Sequence, residues 1–218
     1  MDLTVCEVAE LLGISETKTE SLAAAGDLPS YQLNGKTRFS CLEIENWVVS
    51  HRELTPESHS QKGVSHFSLF RALHHGDVIH NVVANNREEI IRAGALAASS
   101  KLSIDSEVLT ELLLEREEMV STAIGSGFAI PHPRESLPLT QDLLFILYPE
   151  NPVAFGALDG KPVHTFFFLF SSSDKAHLSL LSKISHFIGS DSADFFLQGK
   201  NKRESHLSFV RKWEGSLQ

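Results

Sequence analysis

In Asp142-Leu143-Leu144-Phe145-Ile146-Leu147-Tyr148 an unbroken apolar run from Leu143 to Tyr148 follows one acid and is closed by Pro149 and Glu150. A second run, Val163 to Phe170, follows after the turn-rich stretch Pro152–Pro162. Each is far too short to span a bilayer and has no polar alternation, so each reads as a strand covered on both faces. A shorter strand is expected near Val153–Phe155 and another over Val120–Ile124. Helical spacing flanks the strands in sequence. Asn86 caps a helix through Ile90, Ile91, Ala95 and Ala98, and a second runs from Asp105 through Leu109 and Leu113 to about Glu118. Helices over Asp174–Ile188, Ala193–Gln198 and Arg203–Trp213 close the chain. Strands covered by helices on both sides make an α/β layered domain.

Before these elements lies a stretch of different character. Leu54-Thr55-Pro56-Glu57-Ser58-His59-Ser60-Gln61-Lys62-Gly63 combines Pro, Ser, Gly and charge with almost no apolar residues, the composition of a linker. It divides the chain into residues 1–54, a linker at 55–65 and a larger domain at 66–216. In the first part Thr4 caps a helix that Gly13 ends, and Ser15 caps a second that Gly26 ends. The turn Asn34-Gly35 joins two short strands, and Ser40 opens a third helix through Leu42, Ile44, Trp47 and Val48.

The 218 residues are 42% hydrophobic and 22% charged, a globular composition. Formal net charge is −9, which argues against a general affinity for nucleic acid. Residues 1–54 carry four basic against nine acidic groups, so neither part is a basic patch by count. The N-terminus Met1-Asp2-Leu3-Thr4 lacks the basic and apolar regions of a secretory signal, and a cytoplasmic protein without membrane insertion is expected. The two cysteines, Cys6 and Cys41, read as buried free thiols in that compartment and do not make a zinc site by themselves.

Chemistry concentrates at Phe128-Ala129-Ile130-Pro131-His132-Pro133-Arg134, after the turn Gly125-Ser126-Gly127. Pro131 has a fixed φ, and Pro133 biases the His132 backbone toward an extended conformation, so the imidazole is presented from a stiff segment. That suits a nucleophile or a ligand; an ordinary strand-end loop is the other reading. His74, His75 and His80 have no carboxylate or cysteine at ligand spacing, and no metal is expected there.

From about Phe67 to Trp213 the chain resembles the enzyme IIA domain of the fructose/mannitol class of the bacterial phosphoenolpyruvate-dependent phosphotransferase system, especially its nitrogen-regulatory branch. Three ordered stretches carry the resemblance: Leu114 through Ile124 to His132, Pro152 to Val163, and His177-Leu178-Ser179-Leu180-Leu181. It implies that His132 accepts a phosphoryl group from a histidine phosphocarrier, with Arg116 as the active-site arginine and His177 as the second active-site histidine. No cofactor and no metal is implied, and the chain would be a phosphocarrier component rather than a turnover enzyme on a free small molecule. By themselves Arg116, in Glu115-Arg116-Glu117-Glu118, reads as a surface salt-bridge residue and His177 as an ordinary helix residue. Glu117 reads as orienting the arginine or balancing local charge. Pro133 stands where many members have glycine, and it removes a backbone N–H that could contact phosphate.

The first fifty residues resemble the winged helix-turn-helix of the excisionase and MerR-like DNA-binding families, through Leu3 to Ser15, Gly26 to Tyr31 and Gly35 to Phe39. That resemblance implies phosphate contacts from Lys18, Lys36 and Arg38. The second helix, Glu16-Thr17-Lys18-Thr19-Glu20-Ser21, sets one lysine among glutamates, and a module adapted for protein contact or dimerisation is the competing reading. Together the two resemblances imply a regulator whose phosphorylation state controls binding of DNA or protein. A IIA component relaying phosphate to a sugar permease and a fold-only interaction protein are the alternatives. Candidate partners are the phosphocarrier, DNA, a transporter or kinase target, and a second copy of the chain.

Overall fold

The computed structural model describes residues 2–51, 67–189, 193–197 and 201–216; the expected linker at 55–65 lies outside them. The N-terminal unit comprises β1 (Asp2–Leu3), α1 (Val5–Leu12), α2 (Glu16–Ala25), β2 (Tyr31–Leu33), β3 (Lys36–Ser40) and α3 (Cys41–Ser50). Its boundaries follow local chemistry. Thr4 and Glu7 form a reciprocal capping box at the start of α1, and Ser15 accepts from the Lys18 N–H at the start of α2. Gly13 and Gly26 end the two helices at φ 66° and 80°, a region costly for residues with a Cβ. Ser40 occupies the N-cap of α3 without making a side-chain cap. The three short strands are antiparallel, with β3 between β1 and β2.

The larger unit runs α4 (Leu69–His75), β4 (Asp77–Val82), α5 (Arg87–Leu102), α6 (Ser106–Met119), β5 (Ala123–Gly125), β6 (Phe128–Ala129), β7 (Leu143–Pro149), β8 (Thr165–Phe170), α7 (Asp174–Gly189), α8 (Ala193–Leu197) and α9 (Arg203–Ser216). The sheet order is β4-β7-β8-β6-β5, with β4 parallel to β7, β6 parallel to β8, and the other neighbours antiparallel. The layered α/β domain expected from the apolar runs is present, with the mixed sheet flanked by helices that a IIA-type domain implies.

Both faces of β7 and β8 are covered, as their unbroken apolar character requires. Leu143, Phe145 and Leu147 of β7, with Phe166, Phe168 and Phe170 of β8, pack toward α5 and α6. The alternate residues Leu144, Ile146, Tyr148, Phe167 and Leu169 pack toward α4, α7 and α9. This alternation follows from the two-residue period of a strand.

Several local expectations are corrected. The strand expected over Val120–Ile124 begins at Ala123, because the Thr122 N–H and hydroxyl are both taken by the Glu117 carboxylate, at 2.9 and 2.6 Å. Glu117 therefore holds the chain leaving α6 rather than orienting Arg116. The strand near Val153–Phe155 is a single bridge from Val153 to Val163. Helix α4 was not expected. Ser68 caps it locally, but the Glu214 carboxylate of α9 also accepts from the Ser68 hydroxyl and the Leu69 and Phe70 N–H groups. That cap comes from far along the chain, where local sequence carries no sign of it.

Candidate functional site

His132 leaves the sheet just after β6. The turn Gly125-Ser126-Gly127 has positive φ throughout, at 77°, 54° and 82°, and reverses the chain between β5 and β6. Ile130 N–H then donates to Thr122 O, and Pro131 O accepts from Leu169 N–H of β8. The segment is anchored on both sides. The ring is oriented further: His132 Nδ1 lies 2.6 Å from Ile130 O, and since a carbonyl only accepts, Nδ1 carries the proton. Nε2 is left as the bare nitrogen in the neutral ring.

Arg116 lies in the last turn of α6 and is 2% exposed, which corrects its reading as a surface salt-bridge residue. Its Nη1 donates to Val120 O at 2.9 Å, fixing the guanidinium plane. His177, in the first turns of α7, is 7% exposed, and its ring centroid is 4.7 Å from that of His132. The three residues singled out in the larger domain thus converge, although 61 positions separate the outermost two.

A fourth member comes from the other unit. Glu45 of α3 is 3% exposed and faces all three residues: Oε1 lies 3.2 Å from His177 Nε2, and Oε2 lies 3.6 Å from both His132 Nε2 and Arg116 Nη2. The neighbouring Asn46 Oδ1 is 3.5 Å from Arg116 Nη2. Nothing in Leu42-Glu43-Ile44-Glu45-Asn46-Trp47 sets Glu45 apart from a solvated helix acid. Its role exists only through docking of the two units.

Burial alone would raise the Glu45 carboxyl, but the imidazoles facing it more than reverse this and hold it well below the usual carboxylate range; with His132 Nε2 bare in the neutral ring, the nearer imidazole nitrogen, His177 Nε2 at 3.2 Å, is the one able to donate. Burial pulls His132 down to about 4, against the opposing pull of Glu45. At neutral pH the 3.6 Å approach of Glu45 to His132 is therefore a carboxylate facing a neutral ring. The unfolded chain takes up this proton near the ordinary histidine value and the folded chain only near 4. The His132 contribution to stability is thus complete above that ordinary value and lost as pH falls through about 4. Imidazole ¹⁵N spectra should show His132 as the Nδ1–H tautomer without protonation from pH 8 to 5; a ring that titrates near its ordinary value would contradict the burial.

Glu45, His132 and His177 also form, among the described residues, a group whose potential metal-ligand atoms lie within 4.8 Å of one another. The fixed Arg116 cation beside the same carboxylate already supplies the charge a metal ion would bring, and it repels a second cation.

Lys18 lies on α2, and Lys36 and Arg38 lie on β3, all outside this cluster. Lys18 and Lys36 are exposed, while Arg38 is partly covered and turns its Nη1 to Thr37 O.

A family model for "Phosphoenolpyruvate-dependent sugar phosphotransferase system, EIIA 2" matches residues 71–206, and a helix-turn-helix domain model matches residues 3–52. The nitrogen regulatory protein of Escherichia coli K12 is 31% identical over 121 residues, covering 55% of this chain and 74% of that protein. That of Klebsiella oxytoca is 37% identical over 89 residues, covering 40% of this chain; the match spans just over half of that protein's length, 55%. The crystal structure of the nitrogen regulatory protein IIA-Ntr from Neisseria meningitidis superposes with a TM-score of 0.56 at 26% identity, covering 63% of this chain and 94% of that one.

Proposed function

The chain belongs to the EIIA 2 family of the phosphoenolpyruvate-dependent sugar phosphotransferase system and carries a helix-turn-helix domain ahead of that unit, and on this premise we propose that it is a cytoplasmic regulator whose His132 accepts a phosphoryl group from a histidine phosphocarrier. The phosphorylation state then controls what the chain binds, DNA or protein. Residues 1–54 form the helix-turn-helix unit, 55–65 the linker and 66–216 the phosphoacceptor domain.

The observation that carries this reading is the pinned His132 ring. With Nδ1–H held by Ile130 O, Nε2 is the nitrogen that faces Glu45, the carboxylate that Arg116 and His177 also face. As Nε2 attacks phosphorus, the P–N bond to the carrier imidazole breaks and that ring departs with the bond's electron pair. The proton stays on Nδ1, donated in its hydrogen bond to Ile130 O, so the attack itself needs no proton transfer. The phosphoryl oxygens carry the charge that must be met, and the Arg116 guanidinium offers a planar pair of donors for it. His177, in the first turns of α7, faces the same place.

The attached helix-turn-helix domain favours a regulator over a sugar-permease relay, because its Glu45 reaches the phosphoacceptor site itself. DNA contact would fall to Lys18, Lys36 and Arg38, working against the acidic balance of residues 1–54.

The test is charging of the full chain by a histidine phosphocarrier, with phosphoenolpyruvate and its first enzyme, followed by intact mass. One acid-labile phosphoryl group per chain, mapped to His132, is the expected result. No label, while a parallel IIA acceptor charges fully, would overturn the proposal.

A further inference from the structure

The phosphoacceptor nitrogen is closed off by the chain's own N-terminal unit. His132 is 2% exposed, and what covers it includes α3. Three separate contacts make the closure. Leu178 of α7 is buried among Leu3, Val8, Leu28, Phe39, Ile44, Trp47 and Val48 of the N-terminal unit. Lys175 Nζ of α7 meets Glu10 Oε2 of α1 at 2.7 Å on the rim. At the centre Glu45 faces Arg116, His132 and His177.

The position of Glu45 is that of an incoming phosphoryl group. An atom about to be attacked must stand roughly 3–3.5 Å from its nucleophile. Glu45 Oε2 lies 3.6 Å from His132 Nε2 and at the same distance from the Arg116 guanidinium. A phosphorus bonded to Nε2 would be driven into that carboxylate, and its oxygens would add a second anion where one cation is present. Before transfer, a buried Arg116 without Glu45 would be an uncompensated charge. The carboxylate and the phosphoryl group are alternatives at one site.

Taking the phosphoacceptor reading as its basis, we propose that the face bearing Arg116, His132 and His177 is a docking surface for the chain's own N-terminal domain, with Glu45 in the place of the phosphoryl group, so that docking and phosphorylation of His132 exclude one another. The unmodified chain is closed. The carrier charges only the open form, and the phosphoryl group then prevents reclosure by repelling Glu45. Exposed Lys18 and Lys36 lie outside the docked face, so closure sets the orientation and freedom of the helix-turn-helix unit rather than covering those side chains.

The ion pair of Lys175 with Glu10 provides a direct reporter, since carbodiimide joins an amine and a carboxylate only when they touch. In the full unmodified chain a zero-length Lys175–Glu10 cross-link, identified by peptide mass, is expected. Its yield should fall at least about tenfold once His132 is phosphorylated, and equally in unphosphorylated Glu45→Ala. Glu45→Ala should also charge at least about tenfold faster than wild type, because more of it is open. A phosphorylated chain that cross-links like the unmodified one, or a Glu45→Ala variant that charges no faster, would overturn the proposal. Should the carrier charge neither chain, the phosphoacceptor reading fails by itself; cross-link loss in Glu45→Ala would still support docking through Glu45, and full retention would overturn it. Cross-link loss on adding a chelator would assign closure to a metal ion and likewise overturn it.

Discussion

His132→Ala should take up no acid-labile phosphate from a charged histidine phosphocarrier, while its far-ultraviolet spectrum and thermal transition remain those of a folded protein. In the proposed function the side chain supplies the bond-forming nitrogen, and no other imidazole among the described residues is both pinned through Nδ1 to its own loop and set opposite the carboxylate that a buried arginine faces. Arg116→Ala should still be labelled, but about 10²–10³-fold more slowly, the usual cost of removing one preorganised donor from a site of developing charge. Arg116→Lys should recover little, since an ammonium cannot reproduce the guanidinium fork. Arg116 also holds Glu45 in the closed form, so its removal loosens closure and works in the opposite direction. Measuring both arginine variants in a Glu45→Ala background removes that second effect. Transfer rates unchanged by Arg116→Ala there would exclude the arginine from the chemistry.

The largest effect on stability is expected at Phe168, in the centre of β8. Its ring is fully buried between the sheet and α5, resting on Gly94, where an added Cβ would stand 2.2 Å from Phe168 Cε1. Phe168→Ala removes the ring from a layer that cannot collapse onto the vacancy without bending α5, and should cost about 3–5 kcal/mol. For a domain of this size that corresponds to a fall in Tm of roughly 6–20 °C. Gly94→Ala is the complementary change: it overfills the same contact and should cost about 1–3 kcal/mol. The two sites touch, so Gly94→Ala combined with Phe168→Leu should be less damaging than the two single changes added together. Strict additivity in chemical denaturation would mean that ring and helix do not share this contact.

Much of this architecture was legible because it depends on local pattern. Thr4, Ser15 and Asn86 cap helices where the sequence places them, since a short polar side chain before helical spacing satisfies the free N–H groups of the first turn. The apolar runs of β7 and β8 announce burial on two faces. Helix α4 was illegible because its start is completed by Glu214, and β6 because two residues carry no period. Arg116 and His177 stood out in the sequence only through family resemblance; their own surroundings there resemble a solvated helix face.

The sequence alone determined most of the local elements, the presence of a helix-turn-helix unit ahead of a larger α/β unit, and the stiff presentation of His132 between prolines. These follow from φ restriction, capping and hydrophobic period, which act over a few residues. Tertiary structure decided the rest: which imidazole nitrogen is free, that Arg116 is buried, and that Glu45 from the first unit stands over His132 in the second. Those facts depend on where distant backbone and side-chain groups meet after packing, a distance that no local pattern encodes.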